Sequence, residues 1–258
     1  MKASSADLLF PMLNFVDRIA RQLQRVPGIE AIVLGGSRAR GLHTPTSDYD
    51  IGIYYASAEA FDVAMLNAVA QALDHEHREN ICTLVGGWGP WVNGGGWLKI
   101  DGVAVDFIYR DIGRVRQVIE DCCMGKFTIN YQAGHPAGYP SFIYTGEVAV
   151  CLPVWDSNDA VAKLKQKVQP YPPALKKAIV DSLSWEPSFC VAIAEKAVQR
   201  NDVAYVSGCL FRATFCMMQT LFALNEMWML NEKGAVALAS TFSKAPRQLE
   251  QRINAAFG

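Results

Sequence analysis

Asp48 and Asp50 stand one residue apart in Ser47-Asp48-Tyr49-Asp50-Ile51-Gly52-Ile53-Tyr54-Tyr55. Alternation and β-forming residues predict a strand from Asp48 to Tyr55, on which residues two apart point to the same face. Their α-carbons are then ~6.6 Å apart, a spacing at which two carboxylates can converge on one or two hard cations. Mg2+ suits such a site, because it accepts a few carboxylates and completes its shell with water and phosphate oxygens. A third acid, Asp106, lies inside the apolar run Val103-Ala104-Val105-Asp106-Phe107-Ile108-Tyr109. A carboxylate there is costly unless compensated, either by a cation in the same acidic cluster or by an ion pair with a neighbour such as Arg110. Three carboxylates on neighbouring strands would hold two Mg2+ ions, activating an attacking oxygen and stabilising a leaving phosphate.

Leu34-Gly35-Gly36-Ser37 precedes the acidic pair, with ten residues between Ser37 and Asp48. Glycines let backbone N–H groups approach a phosphate closely, and a following helical turn favours negative charge. The Ser37 hydroxyl adds a hydrogen bond. Arg38 and Arg40 are both within reach of a triphosphate, Arg40 being preferred.

The elements that must position these residues follow from periodicity. Apolar spacing over Ala6 to Val26 predicts a helix ended by Pro27-Gly28. Ile29 to Leu34 reads as a strand, Ser37 to Leu42 as a helical turn, Ala58 to Leu73 as a helix capped by Ser57, and Ile81 to Val85 as a third strand. Asp101-Gly102 predicts a tight hairpin between Leu98–Ile100 and Val103–Tyr109. Gly113 to Met124 reads as a helix and 130–155 as loops and short strands. Beyond Pro170–Pro173 the pattern is helical: Ala174–Trp185, Ser188–Arg200, a long helix from Val203 to Asn231, and Ala245–Ala256. The expectation is an α+β arrangement: a mixed sheet with flanking helices over residues 1–155, followed by an α-helical domain over 156–258. The loop from Gly86 to Trp97 either covers a ligand, with Trp88, Trp91 or Trp97 stacking on a ring, or packs its indoles on the domain edge.

The chain has 258 residues, a net charge of −1 and 51% hydrophobic residues. That balance lacks the cationic excess of proteins that wrap nucleic acid. The seven cysteines form no CxxC pair and no zinc-type spacing with histidine, so free thiols in a reducing compartment are expected. No signal-peptide pattern opens the sequence and no apolar run reaches the ~20 residues of a membrane span. A cytoplasmic location is expected.

The ordered set Leu34-Gly35-Gly36-Ser37, ten residues, then Asp48-Tyr49-Asp50-Ile51 resembles the signature of the DNA polymerase beta-like nucleotidyltransferase superfamily. The variant Gly-Gly-Ser-Arg-Ala-Arg-Gly with Ser-Asp-Tyr-Asp-Ile-Gly looks most like its small bacterial and archaeal members, including aminoglycoside- and lincosamide-type enzymes. The resemblance covers roughly residues 29–110, and the helical C-terminal part is similar in kind to that of the antibiotic-modifying members. It implies that Asp48 and Asp50 bind Mg2+, that Gly36 and Ser37 hold the triphosphate, and that Asp106 is the third acid, as metal ligand or general base. The implied reaction moves a nucleoside monophosphate from an NTP, expected to be ATP, to an acceptor hydroxyl with release of pyrophosphate. A small aminoglycoside-like acceptor is favoured. Transfer to a protein or tRNA, as in toxin–antitoxin relatives, and a non-catalytic nucleotide-binding module are the competing readings. Glu226, late in the long helix, parallels in kind a glutamate that serves antibiotic-modifying relatives as base, without a motif to align it. Lys233 is within reach of phosphate or simply answers the dipole of the preceding helix.

Overall fold

The computed structural model describes the backbone from Ser5 to Gly258 and side chains from Met12. The chain divides into two compact units, one formed by Met1–Gln117 with Glu147–Lys167, the other by Val118–Gly146 with Val168–Gly258.

The first unit begins with α1 (Ser5–Leu23), β1 (Ile29–Leu34), the four-residue α2 (Gly36–Ala39), β2 (Tyr49–Tyr55) and α3 (Val63–Leu73). β3 (Gly95–Ile100), β4 (Val103–Asp111) and α4 (Ile112–Cys123) follow. After β5 (Ile129–Asn130) and β6 (Tyr139–Pro140), which belong to the second unit, and α5 (Ile143–Val150), the chain adds β7 (Leu152–Asp156) and α6 (Ala160–Lys167) to the first. Five strands make one mixed sheet in the order β3-β4-β2-β1-β7, with β2 and β4 parallel and the other pairs antiparallel. This is the expected mixed sheet with flanking helices.

Alternation sets the two faces of the sheet. Tyr49, Ile51, Ile53 and Tyr55 of β2, and Val105, Phe107 and Tyr109 of β4, are buried against Met12, Val16, Ile19 and Leu23 of α1 and Leu66 and Ala70 of α3. The opposite face therefore carries Asp50, Asp106 and Trp97, which are partners across β2, β4 and β3.

Several boundaries differ from the sequence reading, each for a local reason. Asp62 rather than Ser57 caps α3, accepting the Met65 amide at 2.8 Å, while the buried Phe61 anchors the preceding turn. The Ile81–Val85 segment forms no strand: the Asn67 side-chain amide takes both the N–H and the carbonyl of Cys82 at 2.8 and 3.0 Å, so these groups are satisfied without a ladder. Part of the expected glycine–tryptophan loop is strand, since β3 starts at Gly95. The Asp101-Gly102 hairpin forms as expected, with positive φ at both residues (51° and 82°). The stretch read as loops and short strands holds the short strands β6 and β7 and, beyond that reading, the helix α5. β7 pairs with β1 and straddles the boundary expected near residue 155, so the units interleave along the chain instead of meeting at one cut.

The second unit contains α7 (Pro173–Leu183), α8 (Glu186–Val198), α9 (Val203–Leu224), α10 (Ala235–Ala239) and α11 (Leu249–Phe257). Asp202 caps α9 through the Tyr205 amide, and Arg212 fastens it to α8 by a paired contact with Glu186. α9 is long and apolar enough by composition to cross a membrane, yet Ala213, Phe215, Cys216, Met218 and Phe222 are buried within the fold, as in a core helix. It stops at Leu224, short of the expected Asn231, because Glu226 takes a left-handed φ of 56° and the Asn225 side chain is bound to Lys244.

Candidate active site

The site grows from one row of the sheet. Asp50 on β2 lies directly beside Asp106 on β4, and Asp106 directly beside Trp97 on β3. On the other side of Asp50, the Gly35 N–H donates to the Asp50 carbonyl at 2.8 Å, bringing the glycine turn into the same row. The order across the sheet is thus Gly35-Gly36-Ser37, Asp50, Asp106, Trp97.

Gly36 is required by this geometry. Its φ is +60°, and a Cβ built on it would meet Asp50 Oδ2 at 1.7 Å. Only glycine lets the Asp50 carboxylate lie against the turn. α2 is too short to supply a substantial macrodipole, so the expected helix-end attraction reduces to its first-turn N–H groups, which have no intrahelical acceptor. Ser37 sits half-buried in that turn.

The two arginines divide their work. Arg38 is buried, donates to the carbonyls of Asp48 and Ser47, and lies over the Tyr49 ring at 3.8 Å. It fixes the approach to β2 and is committed there. The Arg40 guanidinium, half-buried at the end of α2, makes no hydrogen bond or ion pair among the described residues, and burial alone lowers its pKa.

Asp48 lies one residue before β2, exposed, rather than on the strand. Its charge still reaches both other acids. The Asp50 carboxyl is raised to about 6 by burial first, then by the charges of Asp48, Asp106 and Glu147, with Arg38 opposing. Asp106 is raised to about 6 by burial and by Asp48. The ion pair considered for Asp106 does not form: Arg110 instead grips Glu147 through two contacts of 2.7 and 2.6 Å and donates to the Tyr109 carbonyl. Glu147, on α5, is a residue that the sequence reading passed over. Its signal was an acid inside the apolar run Ile143–Val150, the same signal that singled out Asp106.

Among the described residues no three His, Cys, Asp or Glu side chains are gathered into a ready-made metal cage. The donor chemistry nevertheless fits a hard divalent cation: two neighbouring, half-buried carboxylates whose ionised forms are disfavoured until positive charge compensates them. Asp50 and Asp106 would hold it, beside the charge of Asp48.

The tryptophan loop is tied down. The buried Asn93 amide donates to the Tyr55 hydroxyl at 2.8 Å, Arg114 lies over the Trp91 ring at 4.0 Å and bonds the Pro90 carbonyl, and Trp88 stacks on Trp97 with centroids 4.6 Å apart. His43 Nδ1 is buried without a hydrogen-bond partner among the described residues. In the second unit, Glu226 pairs with Lys176 at 2.9 Å, and the Lys233 amide is bound by the Asn231 side chain.

Residues 16–123 match the family model described as "Nucleotidyltransferase domain", a span that runs from the second half of α1 to the end of α4 and holds all of Gly36, Ser37, Arg40, Asp48, Asp50 and Asp106. No curated protein gives a significant match. Among solved structures, the chain is similar to one described as a nucleotidyltransferase-like protein from Exiguobacterium sibiricum 255-15, at 12% identity and a TM-score of 0.41, over 95% of this chain and 72% of that one. Residues 16–123, less than half of the chain, thus match a nucleotidyltransferase domain, and the match supports a transferase of nucleotidyl groups.

Proposed function

We propose that this protein is a cytoplasmic, Mg2+-dependent enzyme that transfers a nucleoside monophosphate, from ATP, to a hydroxyl of a small acceptor of the aminoglycoside-like kind. The observation that carries the reading is the row formed by the Gly36 turn, Asp50 and Asp106, with a half-buried Arg40 uncommitted beside the turn. In the reaction, the acceptor oxygen attacks the α-phosphorus in line, a new P–O bond forms, and the bond to the pyrophosphate oxygen breaks. Two Mg2+ ions would supply charge neutralisation at the attacking and leaving oxygens. Gly36 and Ser37 would orient the triphosphate through close backbone approach, and Arg40 would meet its charge. Asp106, directly beside Asp50 in the row, would take the hydroxyl proton. The near-neutral charge of the chain supports a small acceptor over a nucleic acid.

The test is pyrophosphate release from each of the four NTPs with Mg2+, across aminoglycosides, sugars and aminocyclitols, with Asp50→Asn as the blank. Acceptor-dependent release from ATP that the blank lacks is the expected result. Labelling of RNA or protein bands in a cell extract, with none of the small molecules modified, would overturn the choice of acceptor.

A further inference from the structure

Trp97 is 63% exposed, although it occupies a strand position and carries the largest apolar side chain. An indole left in water forfeits its burial gain. One side of it is supported: Trp88 stacks on it with an interplanar angle of 21°. Trp88 in turn lies over Gly95, where an added Cβ would meet the Phe107 carbonyl at 1.8 Å and the Trp88 ring carbons at 2.7 Å. Glycine at 95 thus makes the room that lets Trp88 brace Trp97. The backbone behind Trp97 is braced as well, its carbonyl accepting from Arg78 at 3.1 Å and the neighbouring Lys99 carbonyl from the His75 amide at 2.6 Å. A rigid, supported and exposed aromatic face is the form of a ring-binding platform.

Its position says which ring. Along the row, the triphosphate turn is at the β1 end, the acids are in the middle, and Trp97 is on β3, directly beside Asp106 and three strands from the turn. In-line displacement puts the leaving pyrophosphate and the attacking hydroxyl on opposite sides of the phosphorus. With the pyrophosphate held toward β1, the attacking group comes from the β4–β3 side. We infer that the Trp88–Trp97 pair is the acceptor platform, and that the acceptor is a saturated hydroxylated ring, a sugar or cyclitol, laid with its C–H face on Trp97 and one hydroxyl toward Asp106. The inference rests on the nucleotidyl-transfer reading of the acids and adds to it the side chains that hold the acceptor ring.

The test uses the full chain and three separate measurements. Saturation-transfer NMR with kanamycin, methyl β-glucoside and myo-inositol, without nucleotide, reads ring contact alone. Transfer to ring C–H protons of at least one probe is expected in the parent protein and in Asp106→Asn, and its loss in Trp97→Ala and Trp97→Leu. Trp97→Phe should restore it, and Leu separates loss of the aromatic face from loss of apolar bulk. Calorimetry with a non-hydrolysable ATP and Mg2+ reads the donor, and Trp97→Ala should change that affinity less than about twofold. Where turnover with a probe is seen, Trp97→Ala should raise the acceptor KM by about tenfold or more, the range of a lost stacking contact. A tenfold loss of nucleotide affinity in Trp97→Ala would make the indole a base platform and overturn the inference. So would the absence of Trp97-dependent contact with all three probes. Trp97-dependent contact without turnover in the parent protein would leave the platform standing and count against nucleotidyl transfer alone.

Discussion

The Gly36 α-carbon and the Asp50 carboxylate are so close that a methyl group on Gly36 would sit 1.7 Å from Oδ2. The glycine of the turn is thus the wall against which one of the acids rests, and the two motif halves are a single steric unit. Gly36→Ala must displace Asp50 as well as strain a left-handed backbone position. We expect loss of Mg2+- and NTP-dependent activity by about a hundredfold or more, for a stability cost of about 1–3 kcal/mol. Calorimetric titration of Mg2+–NTP beside a thermal melt checks this. Unchanged nucleotide binding would show that the turn and Asp50 act independently.

Asp50 and Asp106 predict how metal and pH oppose each other. Both carboxyls are raised to about 6, above the ordinary value of about 4. Between about pH 4 and 6 the folded chain binds more protons than the unfolded one, so metal-free stability falls as pH rises through that window and levels off above it. Mg2+ requires the ionised forms, so its affinity weakens as pH drops below about 6. Mg2+ should raise Tm at pH 8 and have little effect at pH 5. Asp106→Asn should stabilise the metal-free protein at pH 8 by about 1 kcal/mol, after allowing for solvent screening, while removing the response to Mg2+. A melt series over pH and Mg2+ decides, and an equal Mg2+ shift at both pH values would sink the idea.

Arg38 and Arg40, two residues apart, should fail in different ways. Arg38 spends its guanidinium on two backbone carbonyls and the Tyr49 ring, so Arg38→Ala should cost about 2–3 kcal/mol of stability. The Arg40 guanidinium holds no partner among the described residues, so Arg40→Ala should leave Tm nearly unchanged and weaken ATP binding by about tenfold or more. Comparing Tm with ATP affinity for the two variants separates the roles, and a destabilised Arg40→Ala with normal ATP affinity would reverse the assignment.

The acid pair was legible in the sequence because an Asp-x-Asp at a strand start and an Asp inside an apolar strand are local patterns, and each implies a carboxylate that needs compensation. The hairpin was legible because Asp-Gly specifies its turn. What was not legible depends on partners far along the chain. The failure of Ile81–Val85 as a strand follows from the amide of Asn67, and the α9 end from Asn225 meeting Lys244. Arg110 adjoins Asp106 in sequence space but its charge goes to Glu147, 37 residues on, and no periodicity announces that choice. The adjacency of Trp97 to Asp106 is a register fact, fixed by the hairpin turn yet invisible until β3 is known to begin at Gly95.

The edge of the sheet beside Trp97 is closed by a buried carboxylate. Asp74 accepts the Lys99 N–H at 2.9 Å and two contacts from the Arg78 guanidinium at 2.9 and 2.7 Å. The Arg78 hydrogen bond holds its carboxyl well below the usual range, against the opposing effect of burial. The sign is therefore opposite to that of Asp50 and Asp106: this stabilisation is present above about pH 4 and is lost as pH falls further. Asp74→Ala would strand the Lys99 amide and loosen β3 at its outer edge, at a cost of about 2–4 kcal/mol. Because Arg78 also holds the Trp97 carbonyl, the loss should reach the indole pair. We expect faster amide exchange at Trp97 and Lys99 in Asp74→Ala, with Asp50 and Asp106 still titrating near 6. Exchange rates at β3 equal to those of the parent protein would show that the strand is held by the β4 ladder alone.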